Sequence, residues 1–164
     1  MKTSTELAEE LKRYKKFSKK KIDRLTASWL RAIQHEEENP SPEVMAQEAM
    51  MAARIKKFSN HKWNPGETLY YATNDPMANQ LVVRKYKVHK SEPQMVITRG
   101  DAHLPVDRIS TDELAAIALL YFQAKDMSIP DDKFYLWKEN TRYRFRRYVR
   151  EWYLEVKADL ENKQ

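Results

Sequence analysis

Apolar residues recur every three or four positions along residues 4–36, a segment that contains neither glycine nor proline. At about 100° per residue, this spacing places them on roughly one third of the circumference of an α-helix. The stripe consists of Leu7, Leu11, Tyr14, Ser18, Ile22, Leu25, Trp29 and Ile33. The pattern predicts one long helix with an apolar side.

A stop signal and a start signal delimit a second helix. The acidic run 36–38 and the following Asn39-Pro40 end the first periodic pattern. Ser41 and Pro42 are an N-cap residue and a first-turn proline, which together commonly begin a helix. A second helix is therefore expected to extend to about Phe58.

The segment 64–110 is rich in β-branched and aromatic residues instead. Asn64-Pro65-Gly66-Glu67 fits a type II turn, because proline is second and glycine is third. The predicted strands are 68–73, 80–89, 94–99 and 106–109, with short turn sequences between them. Short links between neighbouring strands favour an antiparallel meander of about three to four strands.

Two helical segments follow the predicted sheet. Ser110-Thr111-Asp112-Glu113 is a helix start, and the segment 114–122 behind it is almost wholly apolar, which predicts a central core helix. The segment 134–162 is predicted to form one helix, or two helices that meet near 140–141. The expected fold class is therefore α+β, a small antiparallel meander flanked by N-terminal and C-terminal helices.

Length and composition narrow the class of protein. A chain of 164 residues is typical of a single domain, here 1–164, with helical parts at 1–60 and 111–164 around the sheet at 64–110. It has no cysteine, no apolar run of membrane-spanning length and no signal-peptide core. These features favour a cytoplasmic protein, or one of the host cytoplasm or nucleoid if it is viral. With only two glycines, the Gly-rich loops that hold nucleotide phosphates are excluded.

Positive charge is concentrated at the two ends of the chain. The net charge is +6, and seven of the ten residues from Lys12 to Lys21 are basic. Five arginines lie between Arg142 and Arg150, beside an apolar stripe formed by Phe145, Val149, Trp152 and Val156. Arginine binds phosphate oxygens and also stacks on aromatic rings, so both clusters predict contact with a nucleic acid.

The residues predicted to contact phosphates belong to these two clusters and to the second strand. They are Lys12, Arg13, Lys16, Lys19, Lys20, Arg84, Lys87, Arg142, Arg146 and Arg150. Strand tyrosines Tyr70, Tyr71 and Tyr86 could stack on unpaired bases, although strand tyrosines more often lie at the edge of a core. No base-reading motif accompanies these residues, so binding is expected to be nonspecific or weakly specific, with the choice between DNA and RNA left open.

Three alternatives stay open for the basic clusters. The arginines near the C-terminus could pair with acids of other elements, for example Glu36–Glu38. The N-terminal helix could lie on anionic lipid, although its apolar stripe is also needed to close the fold, so no membrane partner is expected. The chain could instead be a protein–protein regulator, an inhibitor or adaptor that docks on an acidic surface, with Tyr143, Leu154 and Met45–Met51 as apolar anchors.

Patterns for catalysis and metal binding are weak. The four histidines are widely separated, and none has the helical spacing of a two-histidine metal site. His103 with Asp101 and Asp107 comes nearest to a metal or acid–base site, but such residues are common in loops. No catalytic residue, metal or cofactor is therefore predicted, and the leading hypothesis is a non-enzymatic nucleic-acid-binding protein. The oligomeric state is open.

Overall fold

The computed structural model describes residues 19–75, 80–126 and 136–163. Within these ranges the helices are α1 (Lys19–Glu38), α2 (Pro42–Lys57), α3 (Glu113–Asp126) and α4 (Leu136–Asn162). The helix starts predicted at Ser41 and at 110–113 are confirmed, and α4 is one continuous helix through 140–141. The predicted beginning of the first helix, 4–18, and the predicted loop at 127–132 lie outside the described residues.

Within the described residues, five strands form one antiparallel sheet in the order β4-β3-β2-β1-β5. The strands are β1 (Thr68–Asp75), β2 (Gln80–Ser91), β3 (Met95–Thr98), β4 (His103–Pro105) and β5 (Ile109–Ser110). The sheet is curled and flanked by helices, so the α+β class is confirmed, with five strands where the sequence predicts three to four.

The strand predicted at 106–109 is wrong in its first three residues. Val106–Arg108 forms a 3-10 turn, and the chain returns to the sheet only at Ile109 and Ser110. Pro105, with a φ of −63° and a ψ of 137°, is still paired with Met95 as the last residue of β4, and the turn begins directly after it. Ile109 then pairs with Tyr71 at the opposite edge of the sheet.

Directly before the first residue of β5, the side chain of Arg108, rather than a strand residue, bonds to the edge of β1. Its Nη2 donates a hydrogen bond to the Ala72 carbonyl at 2.8 Å, and its Nη1 donates to the side chain of Gln123. The guanidinium also lies 5.2 Å from the centre of the Tyr71 ring. Burial lowers the pKa of Arg108 from its ordinary value. Arg108 thus ties the edge of β1 to α3.

The type II turn predicted at 64–67 is confirmed. Gly66 has a φ of +89°, in the left-handed region that only glycine adopts without strain. The Glu67 amide donates to the Asn64 carbonyl at 3.2 Å, which closes the turn. Because the Gly66 amide also donates to the Val88 carbonyl at 2.8 Å, the turn leads directly into the β1–β2 ladder.

α3 is the centre of the fold, because it contacts β1, α2 and α4, while α4 also packs on α1. The predicted central core helix is thereby confirmed. The first core contains the buried residues Met51, Ala72, Leu114, Ala116, Ile117, Ala118, Leu120, Tyr121, Val149 and Tyr153. A second core consists of Leu69, Val88, Val96, Leu104 and Ile109, with the partly buried Trp63 against it.

A two-pronged ion pair joins α2 to the start of α3. Arg54 Nε and Nη2 donate to the two carboxylate oxygens of Asp112 at 2.7 Å and 2.6 Å. Asp112 also accepts a hydrogen bond from the Ala115 amide at 2.9 Å and so caps α3. Burial alone would raise the pKa of Asp112, but the hydrogen bonds from Arg54 and Ala115 outweigh it and hold that pKa below its ordinary value.

Candidate nucleic-acid interface

Arg146, in the middle of the arginine-rich segment of α4, faces the interior of the protein. The residue is 4% exposed, and its Nη2 lies 3.2 Å from a carboxylate oxygen of Glu37 on α1. Glu37 belongs to the acidic run that offers an internal partner in the sequence. The prediction that Arg146 contacts phosphate is corrected accordingly: its charge is compensated inside the protein, where it ties α4 to α1.

Arg150 lies one turn further along and is half-buried. Its guanidinium lies beside the hydroxyl of Tyr121, which donates to Glu48 at 2.9 Å, while Lys125 Nζ donates to the other oxygen of Glu48 at 2.7 Å. Burial, assisted by the hydrogen bond to Glu48, raises the pKa of Tyr121 to about 12, so the hydroxyl keeps its proton. Arg150 therefore belongs to a polar cluster that joins three helices, rather than to a fully exposed surface.

The other arginines of this segment that the structure describes are engaged with their own helix. Arg144 Nε donates to the Tyr148 hydroxyl at 2.9 Å, and its guanidinium lies 5.2 Å from the centre of that ring. Arg147 Nε donates to Glu151 at 3.2 Å. The side chain of Arg142 lies outside the described residues. The described arginines of α4 thus form no free basic stripe.

The inward position of these arginines follows from which side of α4 is turned toward the rest of the protein. Sequence spacing centres the apolar side of the helix between Phe145 and Trp152, yet both are only half-buried. Among the described side chains of α4, the fully buried ones belong to Arg146, Val149 and Tyr153. At about 100° per residue, the buried side is rotated by roughly 60° from the expected one, toward Arg146.

On α1, by contrast, basic side chains line an exposed face. Lys20, Arg24 and Arg31 are exposed, and their positions fall within about 40° of one another around the helix. Among the side chains that the structure describes, which do not include that of Asp23, no acid lies within ion-pair distance of any of the three. We call these three residues the α1 basic line. Sequence reasoning chose Lys20 but missed Arg24 and Arg31, although helical spacing from Lys20 would have found them.

The rest of the predicted N-terminal cluster cannot be placed on this face. Lys12, Arg13 and Lys16 lie outside the described residues, as does the side chain of Lys19. Their contact with phosphate stays a prediction. In the sequence, Arg13 and Lys16 continue the helical spacing of the α1 basic line toward the N-terminus.

The second strand carries the two other predicted contacts, and both side chains are exposed. Arg84 Nη2 lies 3.3 Å from Asp75 on β1, with 46% of its side chain exposed. Lys87 Nζ donates to the Thr68 hydroxyl at 2.7 Å. A neutral hydroxyl leaves the charge of Lys87 uncompensated, whereas Arg84 already has an acidic partner.

The strand tyrosines are less available for stacking than the sequence suggests. Tyr71 and Tyr86 are partly buried against the second core, and Tyr71 also carries the guanidinium of Arg108 on its ring. Tyr70 packs partly against the first core, with Lys85 Nζ 5.7 Å from the centre of its ring. The exposed Lys85 therefore adds to the charge of β2, while the tyrosines serve mainly as packing.

The structure also shows the positions of several residues considered for metal binding, acid–base chemistry and protein–protein docking. His103 Nε2 lies 3.4 Å from Asp101 on an exposed turn, and no group of three or more potential metal-ligating side chains occurs in the described part of the chain. Met45 is 58% exposed, but Met51 is fully buried. Leu154, expected to face outward, packs against the first core instead. The side chain of Tyr143 lies outside the described residues.

No protein-family model, curated protein or solved structure matches this chain. Within the ranges that the structure describes, none of the helices combines the length and the apolar character that a membrane crossing requires.

Proposed function

We propose that the protein is a non-enzymatic nucleic-acid-binding protein, which holds the phosphate backbone with outward basic side chains of α1 and β2. The observation that carries the proposal is the α1 basic line, three exposed cations for which no described side chain supplies an acidic partner. Like charges one helical turn apart, such as Lys20 and Arg24, destabilise a helix, and a bound polyanion relieves this repulsion.

The geometry favours weakly specific contact. The α1 basic line extends over about 16 Å of helix axis, long enough to meet several successive phosphates of one strand. Contacts between long cationic side chains and phosphates position a protein on the nucleic acid without reading its sequence. On β2, exposed Lys85 and Lys87 provide a second set of such contacts.

A salt titration of binding tests the proposal. The affinity for a fluorescently labelled 20-nucleotide probe, single-stranded or duplex, is measured by anisotropy between low and moderate NaCl concentrations. Counterion release predicts a loss of about 0.9 log units of affinity per tenfold salt for each duplex phosphate neutralised. Replacing Lys20, Arg24 and Arg31 together with glutamine is expected to reduce this slope by up to about 2.7.

A control variant with the same change in net charge distinguishes the loss of a local contact from the loss of overall charge. Arg147, Lys157 and Lys163 replaced with glutamine lose the same three charges, but the first two already pair with acids on α4. This control is expected to keep most of the slope. A slope near zero in the wild-type protein, or no binding at low salt, contradicts the proposal.

The exposed Met45 favours a second candidate, the protein–protein regulator that docks on an acidic surface. Capture of partners from a lysate, with and without nuclease, distinguishes the two. Partners that remain after nuclease treatment and are lost on Met45→Ser substitution favour the regulator. Partners that depend on intact nucleic acid favour the first proposal.

A further inference from the structure

A cleft of about 800 Å³ opens between the C-terminal end of α2, the loop 58–64, the β2–β3 turn and the 3-10 turn that precedes β5. Its volume lies in the range of about 300–1,000 Å³ that small-ligand sites usually have. None of the residues predicted to contact nucleic acid lines it, so it is a feature separate from the surfaces described above.

The lining combines aromatic rings and an apolar floor with hydrogen-bonding groups. Phe58 and Trp63 supply the rings, and Ile55 and Leu119 contribute to the floor. Hydroxyl and amide side chains make up much of the remaining wall: Ser59, Asn60, Asn64, Ser91 and Ser110. This composition suits a ligand with a flat apolar face and a polar edge.

The aromatic wall is held in place before any ligand arrives. The rings of His61 and Trp63 meet edge to face, with their centres 4.6 Å apart. Glu67 fixes His61 through a 2.7 Å contact to Nε2, and it also accepts a hydrogen bond from the Asn64 amide at 2.7 Å. Trp63 also packs against the second core. A preorganised ring loses little entropy when a ligand stacks on it.

The charges around the cleft do not favour an anion inside it. Apart from His61, the ionisable lining residues are Lys62, Glu92 and Asp107. A carboxylate oxygen of Glu92, Oε1, lies 3.7 Å from Lys90 Nζ. The nearby N-terminus of α3 is already capped by the carboxylate of Asp112. The cleft is thus close to neutral overall, which suits an uncharged planar ring better than a phosphate group.

We infer that this cleft binds one unpaired nucleobase of a single-stranded nucleic acid, a step that rests on the proposed function. The strand β2 connects the two features, because it carries the exposed Lys85 and Lys87 and ends at Ser91 on the rim of the cleft. Lys90 and His89, both exposed, lie between them. A backbone held along β2 would bring a base to Trp63, and stacking on an aromatic ring accepts any base.

Two probes of equal length test this inference. One is a labelled 12-nucleotide oligo(dA), and the other is a 12-unit abasic oligonucleotide that keeps the phosphates but lacks every base. The wild-type protein is expected to bind oligo(dA) roughly tenfold more tightly than the abasic probe, the size of one stacked base. Trp63→Ala should abolish this preference, while Trp63→Phe, which keeps a ring, should retain most of it.

Asp107→Ala provides a variant that does not disturb the cores, because Asp107 is exposed in the 3-10 turn. It removes a hydrogen-bond acceptor for the base edge, so affinity for oligo(dA) should fall severalfold while affinity for the abasic probe stays unchanged or rises. The thermal unfolding midpoint of each variant, measured in parallel, shows whether the fold is intact.

The outcomes separate this inference from the proposed function. Equal wild-type affinity for both probes, or a preference that survives Trp63→Ala, overturns the base-binding cleft and leaves backbone binding intact. Binding to duplex DNA without binding to oligo(dA) has the same consequence. Failure to bind either probe or duplex overturns both ideas.

Discussion

Both α1 and α4 carry a basic segment, but the described cations of the two segments lie in different surroundings. In α1, Lys20 and Arg24 are exposed, and no described side chain supplies either with an acidic partner. In α4, Arg146 is 4% exposed and paired with Glu37, and Arg150 lies beside the buried Tyr121. A run of arginines near aromatic residues is therefore no guide to exposure, because its members can join helices inside the protein.

The difference follows from the place of each helix. α4 packs on both α1 and α3, and its buried side includes Arg146 beside Val149 and Tyr153. Arginine completes this contact because its stem packs against apolar groups while its guanidinium reaches an acid. At the described positions 20, 24 and 31, the side chains of α1 remain in solvent.

Removing Arg146 should have the largest effect on stability. Arg146→Ala leaves Glu37, whose side chain is 22% exposed, without its partner and deletes buried packing around the arginine stem. We expect a loss of about 3 kcal/mol in the free energy of unfolding, measured by urea denaturation. The neighbouring Arg147→Ala, which removes an exposed pair with Glu151, should cost at most about 0.5 kcal/mol. Equal losses in the two variants would contradict the internal role of Arg146.

Removing Arg54 should have the next largest effect. Arg54→Ala breaks both hydrogen bonds to Asp112 and leaves the cap of α3 without its counter-ion. A loss of about 2 kcal/mol is expected in the same assay. Arg54→Lys should recover only part of it, since an ammonium group cannot reproduce the two-pronged contact. Full recovery by lysine would show that charge alone matters at this position.

Acid pH offers a milder test of the same pair. Because the folded-state pKa of Asp112 lies below its ordinary value of 3.8, the carboxylate stabilises the fold above that value. This contribution is lost as pH falls through the lowered pKa in the folded protein. Stability should therefore decline in acid below about pH 4. In Arg54→Ala the decline should be shallower, as followed by urea denaturation across pH; an unchanged pH profile would contradict the coupling.

The smallest effect on stability is expected in the α1 basic line. Lys20→Ala should change the free energy of unfolding by less than about 0.5 kcal/mol, because the side chain is exposed. The same substitution should also reduce the slope of log affinity for duplex DNA against log salt concentration. The expected reduction is about 0.9 for each phosphate that is no longer neutralised. If Lys20→Ala destabilises the protein as strongly as Arg146→Ala, the contrast between the two helices is wrong.

Local signals in the sequence predict most of the secondary structure. Ser41-Pro42, the Pro65-Gly66 turn and Asp112 each have a local physical cause, and the structure confirms all three. The strand predicted at 106–109 fails because Val106–Arg108 forms a 3-10 turn that leads the chain from β4 to β5, at the opposite edge of the sheet. The two apolar residues of this segment, Val106 and Ile109, do not reveal such a turn by themselves.

The positions of the charged side chains could be predicted only in part. Sequence reasoning weighs pairing with Glu36–Glu38 against phosphate contact for the arginines, but spacing within α4 cannot show that α1 crosses it at Arg146. That contact depends on tertiary packing, which rotates the buried side of α4 away from the purely apolar one. The cleft at Trp63 is beyond sequence reasoning for the same reason, since separate loops and turns build it.

The outer strands of the sheet also affect how copies of this chain behave toward one another. β4 has three residues and β5 has two, so each offers few unpaired backbone groups to a strand from another molecule. Pro105 leaves the outer edge of β4 with one backbone donor fewer. At the opposite edge of the sheet, Arg108 donates a hydrogen bond to the Ala72 carbonyl, which is then not free to accept one from another strand. Short outer strands with a missing donor and an occupied carbonyl disfavour the pairing of β4 or β5 with a strand of another molecule.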